Sequence, residues 1–468
     1  MNKTNYKSFG IQIALGLLLS SCSALPSDYG PDVVSATQNV FSTNNSGEFL
    51  PSLRDMPIEA FTARTAKNWW GNFEDPLLNY LAHETLQKSY DARRAITNVE
   101  QAESLLRADR ADLSPVIGLN GQINTRDYSE IDLGVGVGGS WDLDLFGETR
   151  ENIKQAESNV ALNKATVRDV RRLVLASMVQ TYVAYRTTQA RIDLNQHNLG
   201  RLLEKQQRIK RLVDSGYSSR LDLDRADTQI FQIQSNIAAL EAQKVATRNA
   251  LAIFVQTSPQ VLKGWLERKA GNLSLPSQLL PPSLDYIVRH RPDIRAAEWS
   301  LISATHGERA AQLALRPDVT LSGSIFSLGT LGNLTDIGGL SSSILTNIAQ
   351  PLLGRGRLLA GIDLETARMK QAMINYEEAV FQAALDIDTA LATWNRRQQQ
   401  LAFDQKTMNT AIEAQERAQK LFFAGQESFT AVIVAENTLL AAQDTYLRSR
   451  QAAFTSYINY SAATVPGW

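Results

Sequence analysis

Two halves of this chain repeat one another about 200 residues apart, and each carries only two short strand-like segments among very long helical ones. Leu113-Ser114-Pro115 opens a glycine-rich stretch of alternating pattern, and Leu315-Arg316-Pro317 opens another 202 residues later, with Asp91 and Asp293 at the same offset. Phe146-Gly147 with Arg150 matches Leu353-Gly354 with Arg357 at offset 207, and Gly216 with Ser219 matches Gly425 with Ser428 at offset 209. A unit of this size is far larger than a solenoid repeat; it reads as a duplicated helix–hairpin–helix structure. Two strands per copy make four per chain, and four strands cannot close a membrane barrel.

The alternation itself is plain. Ile117, Leu119, Gly121 and Ile123 alternate with Gly118, Asn120, Gln122 and Asn124, and Leu133, Val135, Val137 and Trp141 alternate with glycines and Ser140. In the second copy Val319, Leu321 and Ile325 alternate with Thr320, Ser322 and Ser324, and Ile344 and Ile348 share a face with Ser342 and Thr346. Strands are therefore expected at about 116–125, 131–141, 318–327 and 340–350, joined by polar or small-residue loops at 126–130 and 329–339. Their length and period of two fit tilted transmembrane strands, apolar outside and polar inside; a soluble two-sheet domain has the same pattern. The chain after its leader has no apolar run long enough for a spanning helix, so any bilayer crossing must use a closed sheet.

Proline placement sets the helices. None occurs between Pro115 and Pro259 or between Pro351 and Pro466. Proline costs about 3 kcal/mol inside a helix, so these windows suit very long ones. Helix is expected from Pro76 to about Asp112, from Glu148 to near Val213, from about Arg220 to Val255, and from about Phe429 to Ala463. The second of these would reach on the order of 100 Å. Ile153, Val160, Val167 and Val174 recur every seven residues, with Ala360, Ala367, Ile374 and Phe381 as counterparts at offset 207. Small or polar residues (Ala156, Asn163, Ser177) fill part of the second row. This is a coiled-coil seam, or the stripe of an ordinary amphipathic bundle. Gly216 and Gly425 interrupt the helices and are followed by serines, the residues of a helix C-terminus and the next N-cap; they mark two helical-hairpin tips.

Lys3 and Lys7 precede an apolar core, Ile11 to Leu19, which ends in Leu19-Ser20-Ser21-Cys22. Residues 1–21 read as a secretory signal. The end of that segment resembles a bacterial lipobox, in which Cys22, the only cysteine, becomes the lipidated first residue; Ser23 after it resembles the sorting signal of lipoproteins bound for the outer membrane. Residues 22–67 lack helical period and read as a tether, followed by repeats at 68–275 and 276–468. The formal net charge is -1, with no long basic run, which leaves no case for a nucleic-acid partner.

Catalytic chemistry is missing. Gly134-x-Gly136-x-x-Gly139 matches a dinucleotide fingerprint, but it lies inside a strand pattern, without the helix N-terminus that would hold a pyrophosphate. His83, His197, His290 and His306 have no metal-site spacing. Glu377-Glu378 and Asp386-x-Asp388 read as solvated helix faces. No enzyme and no cofactor beyond a lipid on Cys22 are expected.

Several segments together resemble the TolC-like outer-membrane efflux ducts, in particular their lipidated OprM/NodT-type group. They are Trp141-Asp142-Leu143-Asp144-Leu145-Phe146-Gly147 with Arg150, Asp214-Ser215-Gly216-Tyr217-Ser218-Ser219, Arg291-Pro292-Asp293-Ile294, and Gln350-Pro351-Leu352-Leu353 with Arg357. The resemblance implies a mainly α chain with a small membrane β part. It implies a homotrimer with a twelve-stranded β-barrel in the outer membrane and a twelve-helix tunnel in the periplasm. The duct would passively export solutes from an inner-membrane pump, of resistance–nodulation–division type, through a periplasmic adaptor. Side chains near the tips close such ducts. Here the positions of the group's aspartate and arginine resemble Val434 and Asn437, so the charged gate is not carried over intact. Asp222, Asp224, Arg225 and Glu436 remain as rim charges, with Thr430 and Val434 as a less polar constriction. A periplasmic adaptor or a structural coiled-coil lipoprotein is the competing reading, though neither needs four membrane-length strands.

Overall fold

A computed structural model describes residues 69–126, 130–267, 273–275, 279, 283–330 and 340–464. The leader, the tether and Cys22 lie outside these residues, as do Asp127 to Ser129, residues 331–339 and most of the linker between the repeats. After a 3-10 turn at Trp69–Phe73, the first repeat runs α1 (Pro76–Lys88), α2 (Tyr90–Ala111), β1 (Val116–Arg126), β2 (Glu130–Asp142), α3 (Glu148–Asp214), α4 (Arg220–Val255) and α5 (Pro259–Leu266). The second runs α6 (Leu284–His290), α7 (Pro292–Leu313), β3 (Asp318–Thr330), β4 (Leu340–Ala349), α8 (Gly356–Phe423) and α9 (Phe429–Thr464). Equivalent helices have nearly equal lengths: 22 residues each for α2 and α7, 67 and 68 for α3 and α8, and 36 each for α4 and α9.

Two expectations need correction. The helix expected from Pro76 to Asp112 is two helices, because Ser89 leaves helical geometry at ψ 138° and its hydroxyl accepts the Ala92 N–H at 3.2 Å. Ser89 thus ends one helix and caps the next. The seam counterparts in the second repeat are also displaced. Ile153, Val160, Val167 and Val174 are buried, but Ala360, Ala367, Ile374 and Phe381 are exposed. The buried row of α8 is Val380, Ala383, Ala384, Ile387, Ala390 and Trp394, which matches buried Arg172, Leu175, Ala176, Val179, Tyr182 and Arg186 at offset 208. One residue turns a helix by about 100°, so the offset of 207 lands on the flank of α8.

The four strands form one antiparallel sheet in the order β1-β2-β3-β4. Register places Leu119, Val137, Ile325 and Ser342 in one row across it. The helices repeat that order: α2 packs on α3, α3 on α7, and α7 on α8. Sheet and helix row are therefore both open, ending at β1 and α2 on one side and at β4 and α8 on the other.

Strand turns into helix by a local device. Asp144, at φ 41°, accepts the N–H of Thr149 at 2.9 Å and the Arg150 Nε–H at 2.8 Å, while Gly147 takes φ 89°. This accounts for Asp144, Gly147 and Arg150 in the segment that follows Trp141. Gly136 is required by packing, since a Cβ there would lie 2.6 Å from the Ile325 carbonyl oxygen and collide with the Phe326 ring. The fingerprint-like glycines thus serve strand pairing.

The main core lies partway down the long helices. Trp69, Phe73, Leu78 and Leu81 pack against Leu175, Met178 and Tyr182 of α3 and against Phe454 and Tyr457 of α9. Asp75 caps α1 and accepts the Tyr182 hydroxyl at 2.5 Å; that oxygen accepts Arg186 Nε–H at 2.9 Å. Burial pushes the Tyr182 hydroxyl up, so it stays a donor.

Repeat two starts on a second lock. Buried Arg291 donates to Asp293 at 2.6 Å, to Asp386 at 2.9 Å and to the Ala383 carbonyl at 3.2 Å, joining α7 to α8. Burial alone would raise the Asp293 carboxyl, but hydrogen bonding and charge from Arg291, with Arg172 beyond, hold it below the usual carboxylate range. A depressed carboxyl contributes stability above its unfolded value, near pH 4, which is lost as pH falls through the folded one. Asp293→Asn is expected to cost about 2 kcal/mol at pH 7. In thermal melts it should converge with wild type as the pH falls through the depressed value of the Asp293 carboxyl.

Candidate functional site

The sheet has two unlike faces. Ile117, Leu119, Ile123, Val135, Val137, Ile325, Ile344 and Ile348 share one, with Ile344 85 % exposed. Gly118, Asn120, Gly138, Ser140, Asp142, Asp318, Thr320, Ser322, Ser324 and Ser343 share the other, with Val116, Phe326 and Leu345 as apolar exceptions. An apolar face this exposed on an open sheet requires a covering. Trp141 marks one border, its indole N–H donating to the Leu113 carbonyl at 2.9 Å. Among the described residues no helix is long and apolar enough to cross a membrane. The polar face lies opposite the apolar one. Where that face meets α3, burial and the carboxylates of Asp142, Asp318 and Asp144 push the Glu148 carboxyl up.

At the far end α3 turns into α4, and α8 into α9. Gly216 and Gly425 take φ 79° and 71°. The Tyr217 N–H bonds the Leu212 carbonyl at 2.8 Å, and the Gln426 N–H bonds Leu421 at 2.9 Å, closing both helices with the same six-residue motif. Ser219 and Ser428 then accept the N–H of Leu221 at 3.0 Å and Ala431 at 3.3 Å. An apolar cluster of Ile209, Leu223, Ala226, Phe429 and Val432 binds the two tips together.

Three of the six gate candidates meet here. Asp222 accepts the Ser218 hydroxyl at 3.1 Å and lies 3.5 Å from Arg225, and Arg225 Nη1 donates to Thr430 Oγ1 at 2.8 Å, linking the repeats. Asp224 stands apart with Arg220 at 3.7 Å, both largely exposed. Val434 is 59 % exposed. Glu436 is not at the rim; it is sheltered between helices, paired with Lys205 and 3.5 Å from Gln415 Nε2. Lys205 and Gln229 reach α9 from the first repeat, at Glu436 and Asn437, and are not among the residues expected from the sequence; Asn437, seven residues from both Thr430 and Asp444, is the signal for Gln229, and none marks Lys205. Among the described residues, no group of three or more His, Cys, Asp or Glu side chains could hold a metal ion.

A sheet apolar on its outer face, continued by long helices that end in paired tips, defines a membrane channel protein. The family model of outer membrane efflux proteins matches residues 81–254 and 284–464, and the chain belongs to that family. It is an outer-membrane channel of an efflux system with its helical part in the periplasm, and it is not an enzyme. The membership sets aside the adaptor and structural-lipoprotein readings. The chain is 26% identical to the probable outer membrane lipoprotein SilC of Salmonella typhimurium over 98% of each chain, and 26% identical to the solvent efflux pump outer membrane protein SrpC of Pseudomonas putida over 97% of each. The solved structure of VceC from Vibrio cholerae superposes with a TM-score of 0.77 at 22% identity, covering 86% of this chain and 98% of that one.

Proposed function

We propose that three copies close into a duct of twelve strands and twelve helices, anchored by lipid on Cys22. It would take solutes passively from an inner-membrane pump of resistance–nodulation–division type through a periplasmic adaptor. The observation that carries this is the open amphipathic sheet: four strands of alternating direction leave β4 of one copy antiparallel to β1 of the next, so three identical sheets can close without a seam of another kind. Exposed Leu364, Ile374 and Phe381 on α8 and Leu105 on α2 support the same closure for the helix row. The lipid rests on the lipobox-like segment and on the name of SilC.

The entrance lies at the tips, and packing closes it more than charge does. Asp222, Asp224 and Arg225 form the rim, where part-exposed ion pairs contribute about 0–1 kcal/mol; Thr430 and Val434 form the constriction, and Glu436 stands behind it. Val434→Ala is expected to raise single-channel conductance in planar bilayers about threefold, and Asp222→Ala to leave it within a few tenths of a kcal/mol of wild-type opening. An effect from Asp222→Ala alone would count against closure by packing.

A further inference from the structure

The long helices also pack in a row, α4 on α3, α3 on α9 and α9 on α8. One face of that row is covered: Tyr182 of α3 and Tyr457 of α9 pack in the core with Trp69 and Phe73. Arg191 stands nine residues after Tyr182, and Arg448 nine before Tyr457. At about 100° per residue, both turn to the opposite face. There they line a groove of about 610 Å³ with Arg397 of α8 and with Gln451, Thr455 and Asn459 of α9.

No carboxylate is among the described residues that line this groove. Asp444 beside it is shared, 2.5 Å from both Arg191 Nε and Arg448 Nη2, and Arg397 Nη1 donates to the neutral Gln400 Oε1 at 2.7 Å. On α8 the flanking carboxylates, Asp388 and Asp404, stand nine and seven residues from Arg397, about 10 Å or more along the axis. Positive charge therefore exceeds negative here. Asn459 accepts from Gln180 Nε2 at 2.7 Å, which leaves its NH2 as the donor end. Packing of the row does not need these charges. At offset 209 the counterparts of Arg448 and Asn459 are Ala239 and Ala250, and at offset 208 those of Arg191 and Arg397 are Gln399 and Gln189. The other repeat thus builds the same helices with neutral residues at all four positions.

We infer that this groove is a binding site, inside the duct, for the anionic group of an exported solute: a carboxylate, phosphate or sulfonate held by guanidinium forks. The inference rests on the lipid-anchored trimeric duct proposed above. In that duct the chain reaches Trp69 from a lipid outside the wall, so the face that Trp69 covers is the outer one. Threefold symmetry then repeats the arginine groove at one height of the passage, where charge of one sign concentrates anions. The test uses the purified full-length protein in planar bilayers at about 0.1 M salt, where charges still act over about 10 Å. Benzene-1,3-dicarboxylate should reduce the current through open wild-type channels. Arg397→Gln/Arg448→Ala, which gives the groove the residues of its counterpart, should raise the half-blocking concentration about tenfold, and Arg397→Gln alone about threefold. Arg450→Gln removes an arginine from the outer side of α9, where it donates to the Leu273 carbonyl at 2.8 Å, and should be blocked like wild type. Equal block of the double variant and wild type would overturn the site; if the double variant does not fold, an unchanged block in Arg397→Gln decides against it. Relief as large in Arg450→Gln would also overturn it, because net charge alone would then explain the block. Conducting wild-type channels that the dicarboxylate leaves unblocked contradict this inference alone. Wild-type protein with no conductance steps contradicts the channel reading beneath it.

Discussion

Val137→Arg is expected to abolish insertion, while Ser324→Arg, on the neighbouring strand but the opposite face, should still yield channels. Val137 sits mid-strand in the row Leu119, Val137, Ile325 and Ser342, on the apolar face. A charge facing lipid at the bilayer midplane costs about 2–4 kcal/mol, and a three-chain barrel would carry it three times, for ~6–12 kcal/mol, on the scale of a whole domain's stability. Ser324 shares the face of Gly138, Ser140 and Ser343, whose hydroxyl it meets at 2.9 Å, and an arginine there finds water. Heat-modifiable migration of outer-membrane fractions separates the outcomes. Equal tolerance of both arginines would mean that the faces are misassigned.

The second large effect is expected on α8. Ile374 and Phe381 are 61% and 43% exposed in a single chain. Burying each against a neighbour contributes about 1.5–3 kcal/mol. Closure makes that contact three times, so Ile374→Glu/Phe381→Glu forfeits it three times and adds carboxylates that stay buried and unpaired. The variant should keep wild-type helical circular dichroism, because Ala383, Ile387 and Trp394 still hold α8 to its own chain, yet run as a single chain on native gels. A variant that remains oligomeric would place this flank on the outside of the assembly.

Much of this was legible in the residues, for definite reasons. The strands follow from a period of two that side-chain geometry imposes, and they end within three residues of the expected ranges. Gly216 and Gly425 announce the tips because few residues tolerate positive φ. The register of the long helices was not legible. Its anchors, at offsets 202, 207 and 209, lie in hairpins and turns where insertions accumulate, whereas the buried rows of α3 and α8 follow an offset of 208. Ser89 was missed because a serine that breaks a helix and one that rides on it look alike without a proline or glycine beside them. At the tips, Glu436 sits near Ser428 in sequence and so reads as a rim charge; rotation about α9 turns it inward to Lys205. Distance along the chain cannot supply that angle when the partner comes from the other repeat.

A channel of this kind requires that one chain's sheet and helix row be incomplete alone. The direct measurement is the mass of the detergent-solubilised, full-length particle by native mass spectrometry. A mass of three chains is expected, with no stable single-chain species. A folded particle of one chain, with its apolar strand face covered by detergent alone, would contradict the account.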